Sequence, residues 1–229
     1  MKKIDIFSVC SYIDKVMSNV EDGVDMIYRG HSSSIYELKS SVGRIKGYSI
    51  DVEKELFLEF KKRYRPYAKE YPETDLELLF MAQHYGVPTR LLDWTFNPLI
   101  ALYFASAAID DHDGKVYSIK LKTSFLVDEL EDKSMSIDRL LNVDRCKYVV
   151  PYYTDTRYVN QKSLFLLSNH PEKKFTFADK ETVYIIKNEA KPQIRRELAL
   201  LGIDESFVFP TLDRLGVNVK ETILGKIKK

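Results

Sequence analysis

The sequence predicts an α+β fold, a single domain in which a small, largely antiparallel sheet is flanked by helices. Three observations carry that prediction. Apolar residues recur at helical spacing through most of the first half, short β-prone runs replace them from about residue 115, and helical spacing returns after residue 192. Strands and helices segregated along a chain in this way pack as α+β rather than as alternating parallel units. No internal repeat, low-complexity tract or Gly/Ser-rich linker interrupts the 229 residues, so one domain is expected over 1–229.

Over 7–21, Val9, Ile13, Val16, Met17 and Val20 fall three and four positions apart, an amphipathic helix that Gly23 ends. Met26-Ile27-Tyr28 is a short β-prone run, which places Arg29-Gly30 at a strand end, and His31-Ser32-Ser33-Ser34 reads as a polar loop. A helix over 51–69 gathers Val52, Leu56, Phe57, Phe60, Tyr64, Tyr67 and Ala68 on one side, with Asp51 as N-cap. Its basic run, Lys61-Lys62-Arg63-Tyr64-Arg65, is the solvated face expected in a chain of neutral total charge. Residues 74–84 form a second helix, capped by Thr74 or Asp75 and stopped by Gly86-Val87-Pro88. Residues 89–96 read as a loop leading into a helix over 98–109, with Asn97 as N-cap and Pro98 at the first helical position. That helix is apolar around nearly its whole circumference and so is expected to be central and buried. After a turn at 110–114, strands are expected over 115–121, 147–150, 163–167 and 182–187, with one or two short helices in the charged segment 122–145. Helices over 192–201, ended by Gly202, and over 212–228 complete the chain.

Composition narrows the functional classes. With 35 Lys+Arg against 34 Asp+Glu the formal charge is +1, which argues against a dedicated polyelectrolyte binder. Cys10 and Cys146 are far apart and lack companions at zinc or redox spacing, and His31, His84, His112 and His170 show no paired spacing, so no metal is expected. The nine glycines form neither a P-loop nor a Gly-x-Gly-x-x-Gly fingerprint. Asp5, Tyr12 and Asp14 arrive before any secretory apolar run, and the apolar stretch at 98–109 is well short of the roughly 20 residues that span a bilayer. A cytoplasmic protein away from membranes is expected. The 15 tyrosines point to a wet cleft or partner surface, or else to rings half-buried at the edge of the core.

Two places concentrate chemistry. Arg29 offers a planar bidentate donor suited to phosphate or carboxylate, and Gly30 beside it lets a ligand approach the backbone; the other reading of Arg29 is a structural salt bridge. The segment Gln83-His84-Tyr85-Gly86-Val87-Pro88-Thr89-Arg90-Leu91-Leu92-Asp93-Trp94-Thr95 leads into the N-terminus of the most buried helix, where backbone N–H groups and the dipole favour an anion. Thr89, Arg90 and Thr95 add donors there. The other reading is that Arg90 and Asp93 pair with each other and Trp94 plugs the core.

These residues resemble a known family. Tyr28-Arg29-Gly30, the segment from Ala82 to Thr95 and Asn97-Pro98-Leu99-Ile100-Ala101-Leu102-Tyr103-Phe104-Ala105 look like the FRG domain, named for a Phe/Tyr-Arg-Gly motif near its start. Asn160-Gln161-Lys162-Ser163-Leu164-Phe165 and residues 201–213 extend the resemblance to roughly 25–215. A second, partial resemblance is to ADP-ribosyltransferases. In these a first-strand motif such as Tyr-Arg-Gly holds NAD, a second strand carries Ser/Thr, and a third motif supplies a glutamate at a strand start. Tyr28-Arg29-Gly30 matches the first, Thr89 stands for the second outside a plain strand, and the third position is Gln161, a glutamine. A neutral amide holds a ribose but gives little field to the positive charge developing at the anomeric carbon. Asp93 is the carboxylate that offers that charge instead.

The resemblances imply a cleft that binds a phosphate-containing nucleotide, NAD or ADP-ribose-like, with ADP-ribosyltransferase-like or NAD-cleaving chemistry and no metal. In that reading Tyr28, Arg29, Gly30, Tyr85, Thr89, Arg90, Trp94 and Thr95 bind the ligand, while His84, Asp93 and Gln161 serve catalysis, His84 because imidazole titrates near neutrality. The alternative is a non-catalytic binding module for a protein or nucleic-acid partner in a bacterial or phage defence or regulatory system, with Lys61 to Arg65 and Lys226, Lys228 and Lys229 as the basic contacts for nucleic acid. A third possibility is that Arg29, Arg90 and Asp93 form a buried structural network.

Overall fold

The structure is a computed structural model that describes residues 2–21, 23–69, 71–107, 110–121, 135–152, 155–176 and 182–227. Its strands are β1 (Lys2–Ile6), β2 (Met26–His31), β3 (Leu91–Thr95), β4 (Gly114–Lys120), β5 (Lys147–Val149), β6 (Ser163–Leu167) and β7 (Thr182–Ile186). The helices are α1 (Val9–Met17), α2 (Ile50–Arg63), α3 (Asp75–His84), α4 (Pro98–Ala105), α5 (Ile137–Leu141), α6 (Thr156–Gln161), α7 (Lys191–Leu200), α8 (Glu205–Val208) and α9 (Leu212–Ile227). All seven strands join one sheet in the order β1-β7-β4-β2-β3-β6-β5. Only β1 and β7 run parallel; every other neighbouring pair is antiparallel. The largely antiparallel α+β domain expected from the sequence is therefore present, its single sheet drawing strands from both ends of the chain.

Register shows how the layers form. Tyr28 lies opposite Thr95 and Ser118, and the residues that share their face include Val116, Tyr184, Leu91, Phe165 and Val149. Two apolar clusters cover that face. One packs α1, α4 and α7 on β1, β7, β4 and β2, and the other packs α2, α3 and α5 on β3, β6 and β5. The opposite face, with Ile27, Leu92, Trp94, Tyr117, Leu164 and Leu166, is closed by Leu38 and Phe175 from loops. Helices thus sit on one side of the sheet in two groups, and the seam between the groups follows the junction of β2 with β3.

Several expected boundaries move. β1 is a strand that the basic opening of the sequence conceals, because its parallel partner, β7, lies in the last quarter of the chain. Residues 91–95 are a central strand rather than a loop. Both faces of that strand are largely buried, so the polar/apolar alternation of a half-exposed strand is absent. α2 starts at Ile50, where the Ser49 hydroxyl accepts from the Val52 N–H at 3.3 Å, and stops at Arg63 instead of continuing to 69. α1 spans Val9–Met17 with Ser8 as N-cap, α4 ends at Ala105, and α7 and the glycine stop at Gly202 (φ 79°) fall where expected. Of the segment 122–145, only 135–145 is described, and it holds α5; residues 108–109, 228 and 229 also lie outside the described residues.

Candidate functional site

The junction of β2 with β3 is the weakest seam of the sheet. β2 pairs with β4 over six positions but meets β3 in a single register pair, Tyr28 with Thr95. Beyond it the strands part, and Arg29 fills the gap. Alternation along β2 starts the Arg29 side chain on the loop-covered face, yet its Nη1 donates to the Asp93 carbonyl and lies 3.6 Å from Asp93 Oδ2, whose side chain belongs to the helix-covered face. The Arg29 side chain is 16% exposed and that of Asp93 62%.

A chain of hydrogen bonds fixes the Asp93 carboxylate. Gln83, in the last turn of α3, donates from Nε2 to Asp93 Oδ1 at 2.7 Å, and its Oε1 accepts from the Thr89 hydroxyl. Thr89 in turn accepts from the Leu91 N–H at 3.2 Å and is tied through its backbone to Ser41. On the other side Arg29 Nε donates to His31 Nε2 at 3.1 Å, which assigns the neutral tautomer with the proton on Nδ1. Burial first, then the charges of Arg29 and Arg44, push the His31 imidazole down to about 3, so it is an uncharged acceptor at neutral pH. Burial also lowers the Arg29 guanidinium, against the opposing pull of Asp93. Arg29 Nη2 has no hydrogen-bond partner among the described residues.

His84 follows Gln83 and ends α3. Its ring lies 4.8 Å from that of exposed Tyr85 and 6.0 Å from that of Tyr158, and its Nδ1 is 3.7 Å from Asp155 Oδ2. Burial and the Arg157 charge lower the His84 pKa while Asp155 opposes them, leaving a neutral imidazole. Burial first, then the Asp155 charge, raise the Tyr158 phenol, with Arg157 opposing them.

The remaining residues expected at the site are withdrawn from it. Arg90 is 1% exposed: Nε and Nη2 each donate to the Glu53 carboxylate at 2.8 Å, and Nη1 donates to the carbonyls of Leu141 and Ser168 at 2.9 and 3.2 Å. It pairs neither with Asp93 nor with solvent, so the single network of Arg29, Arg90 and Asp93 is in fact two separate ones. Trp94 is buried in the core of the loop-covered face, and Tyr28 is buried beneath α4 with its phenol pushed up to about 12 by burial. Thr95 caps a turn, donating to the Gln161 carbonyl at 2.5 Å and accepting from the Asn97 N–H at 2.9 Å. Gln161 is buried and spends its amide on the Val208 carbonyl at 2.9 Å. At Gly30 a Cβ would lie 2.0 Å from the Ala101 carbonyl oxygen, so the close approach there is made by α4 rather than by a ligand.

The structure therefore joins Arg29, Asp93 and Thr89 in one network, to which it adds Gln83 and His31, and places His84 and Tyr85 in a second group with Asp155. Gln83 stood within the long motif, but only its bond to Asp93 gives it a role; Asp155, the N-cap of α6, lies in no motif read from the sequence. The basic run of α2 is spent locally, Lys61 on Asp75 and Lys62 and Arg63 on Glu59. The Lys226, Lys228 and Lys229 side chains lie outside the described residues. Among the described residues no three His, Cys, Asp or Glu side chains gather as a metal site, and no helix is long and apolar enough to cross a membrane.

No curated protein and no solved structure matches the chain. The family model of the FRG domain matches residues 24–114, a span that contains β2, the whole chain of contacts from His31 and Arg29 through Asp93 to Gln83, and the helix α4 that seats on Gly30. By that match residues 24–114 are similar to the FRG domain.

Proposed function

We propose that the chain binds a phosphate-containing nucleotide, NAD or an ADP-ribose-like ligand, in the cleft where β2 and β3 part, with ADP-ribosyltransferase-like or NAD-cleaving chemistry centred on Asp93. The observation that carries this reading is an exposed carboxylate held in place by Gln83 and Arg29 beside a guanidinium with an unspent nitrogen. Arg29 Nη2 takes a phosphate oxygen, and Tyr85 stacks on a base. Asp93 faces the ribose. As the bond from the anomeric carbon to nicotinamide breaks, the electron pair leaves with nicotinamide and the carboxylate stabilises the cation left behind. Water or an acceptor hydroxyl then attacks that carbon, with neutral His84 accepting its proton.

Calorimetry with NAD and ADP-ribose, paired with an assay of nicotinamide release, tests this. The wild type should bind at least one of the two ligands, Arg29→Ala should weaken binding by about tenfold or more, and Asp93→Asn should keep binding while losing release by about 10²–10³-fold. Absence of heat with both ligands removes the proposal. One observation favours a second reading, a non-catalytic binding module: Gln161, at the position of the transferase glutamate, is buried against Val208. Binding that depends on Arg29 without any nicotinamide release selects that reading.

A further inference from the structure

Beyond His84 and Tyr85 the surface opens into a pocket of about 890 Å³ that neither Arg29 nor Asp93 lines. Five of its walls are tyrosines, Tyr67, Tyr71, Tyr85, Tyr152 and Tyr158. Tyr158 is 9% exposed and forms the floor, whereas Tyr67, Tyr71 and Tyr85 are 88, 60 and 69% exposed and stand at the rim. The charged lining is one-sided. Glu73, Glu77 and Asp155 face it against Lys69 alone. Glu77 accepts from the Glu73 N–H at 2.6 Å and Asp155 from the Arg157 N–H at 2.7 Å, so both carboxylates are held in place by backbone. Arg157 itself turns its guanidinium onto the Phe209 ring, 5.0 Å away.

The negative face of a phenol ring attracts cations, and carboxylates behind a ring of tyrosines add to the attraction. The protein already uses this chemistry at the rim, where the Arg65 guanidinium lies 5.8 Å from the Tyr71 ring centre. The same pocket is unsuited to a diphosphate, which three carboxylates would repel. Its volume is that of a pocket for a whole small ligand or a side chain with its flanking backbone rather than for a lone inorganic ion.

We propose that this tyrosine-lined, acidic pocket binds an organic cation, a guanidinium or alkylammonium group, carried either by a small molecule or by an arginine or lysine side chain of a polypeptide. The claim uses none of Arg29, Gln83 and Asp93, and shares only Tyr85 and His84 with the nucleotide reading.

Titrations followed by NMR or calorimetry on the full chain test it, with N-acetyl-arginine amide, tetramethylammonium and an arginine-containing hexapeptide as cations and the citrulline counterpart of the amide as the neutral control. The amide or tetramethylammonium should bind, the citrulline compound about tenfold more weakly or not at all, and added salt should weaken the binding. Tyr71→Ala and Tyr152→Ala, both at exposed positions and each checked for an unchanged melting curve, should each reduce it by about 3–10-fold, while Arg29→Ala leaves it unchanged. A hexapeptide that binds about tenfold more tightly than the amide assigns the polypeptide source, and equal binding assigns the small molecule. Equal binding of the arginine and citrulline amides, no binding of any cation up to about 10 mM, or cation binding indifferent to both tyrosine substitutions overturns the proposal.

Discussion

At Arg90 the guanidinium is sealed and bonded on every side, to Glu53 and to the carbonyls of Leu141 and Ser168, while at Arg29 the same group bridges a gap in the sheet and remains partly open. Both arginines stand in motifs where phosphate binding is a reasonable expectation. What separates them is the partner each meets: Glu53 arrives from the first turn of α2, a position whose sequence reads as ordinary helix surface. Removing one member of a buried ion pair strands the other charge, at a cost of about 3–5 kcal/mol. Arg90→Ala and Glu53→Ala should therefore each lower the stability measured by urea unfolding by about that amount. A ligand-binding arginine would instead leave the unfolding midpoint where it was. Arg29→Ala, with its side chain at the edge of the sheet split, should give a folded protein.

At the scale of elements, α4 and the two strands beneath it depend on glycine. A Cβ at Gly30 or at Gly114 would stand 2.0 Å from the carbonyl oxygens of Ala101 and Ala105 respectively, so the helix rests directly on bare backbone of β2 and β4. Those contacts are with backbone, which cannot rotate away. Gly30→Ala should lift α4 and lower thermal stability by about 1–3 kcal/mol or more, with nucleotide binding lost only as far as the fold is lost. A normal melting curve together with abolished ligand binding would return Gly30 to the role of ligand contact. The glycine was legible in the sequence as a point of close approach; what approached it was not, since a buried helix and a bound nucleotide make the same demand for a missing side chain. The same limit explains 91–95. Leu91-Leu92-Asp93-Trp94-Thr95 lacks the alternation of a half-exposed strand because one face meets α2, α3 and α5 and the other meets the loop-covered core, so neither period is visible before the layers assemble.

For the whole molecule, the buried neutral histidines link stability to pH. The folded His31 pKa, about 3, lies below the ordinary value of about 6.5, so the unfolded chain takes up a proton that the folded chain refuses. This contribution is complete above about pH 6.5 and is lost as pH falls, at up to about 1.4 kcal/mol per pH unit, with His84 adding in the same direction. Unfolding free energies measured from pH 7 to pH 5 should drop by about 2 kcal/mol, above the range in which carboxylates protonate, and His31→Gln should flatten most of that slope. A flat profile in the wild type would show that His31 reaches solvent and titrates normally.

Local physics alone determined the α+β class, the capped starts of the helices at residues 74 and 98, and the glycine stop at 202. Capping, periodicity and turn chemistry act between residues a few positions apart and so can be read along the chain. Only the tertiary structure decided that β1 lies parallel to β7, that Arg90 belongs to Glu53, and that Gln161 faces Val208. It also decided that the tyrosines Tyr67, Tyr71, Tyr85, Tyr152 and Tyr158 share one pocket. A pattern along the chain states how much of a residue must be buried; which distant group it is buried against is set by where the sheet parts and how the two helical groups close over it.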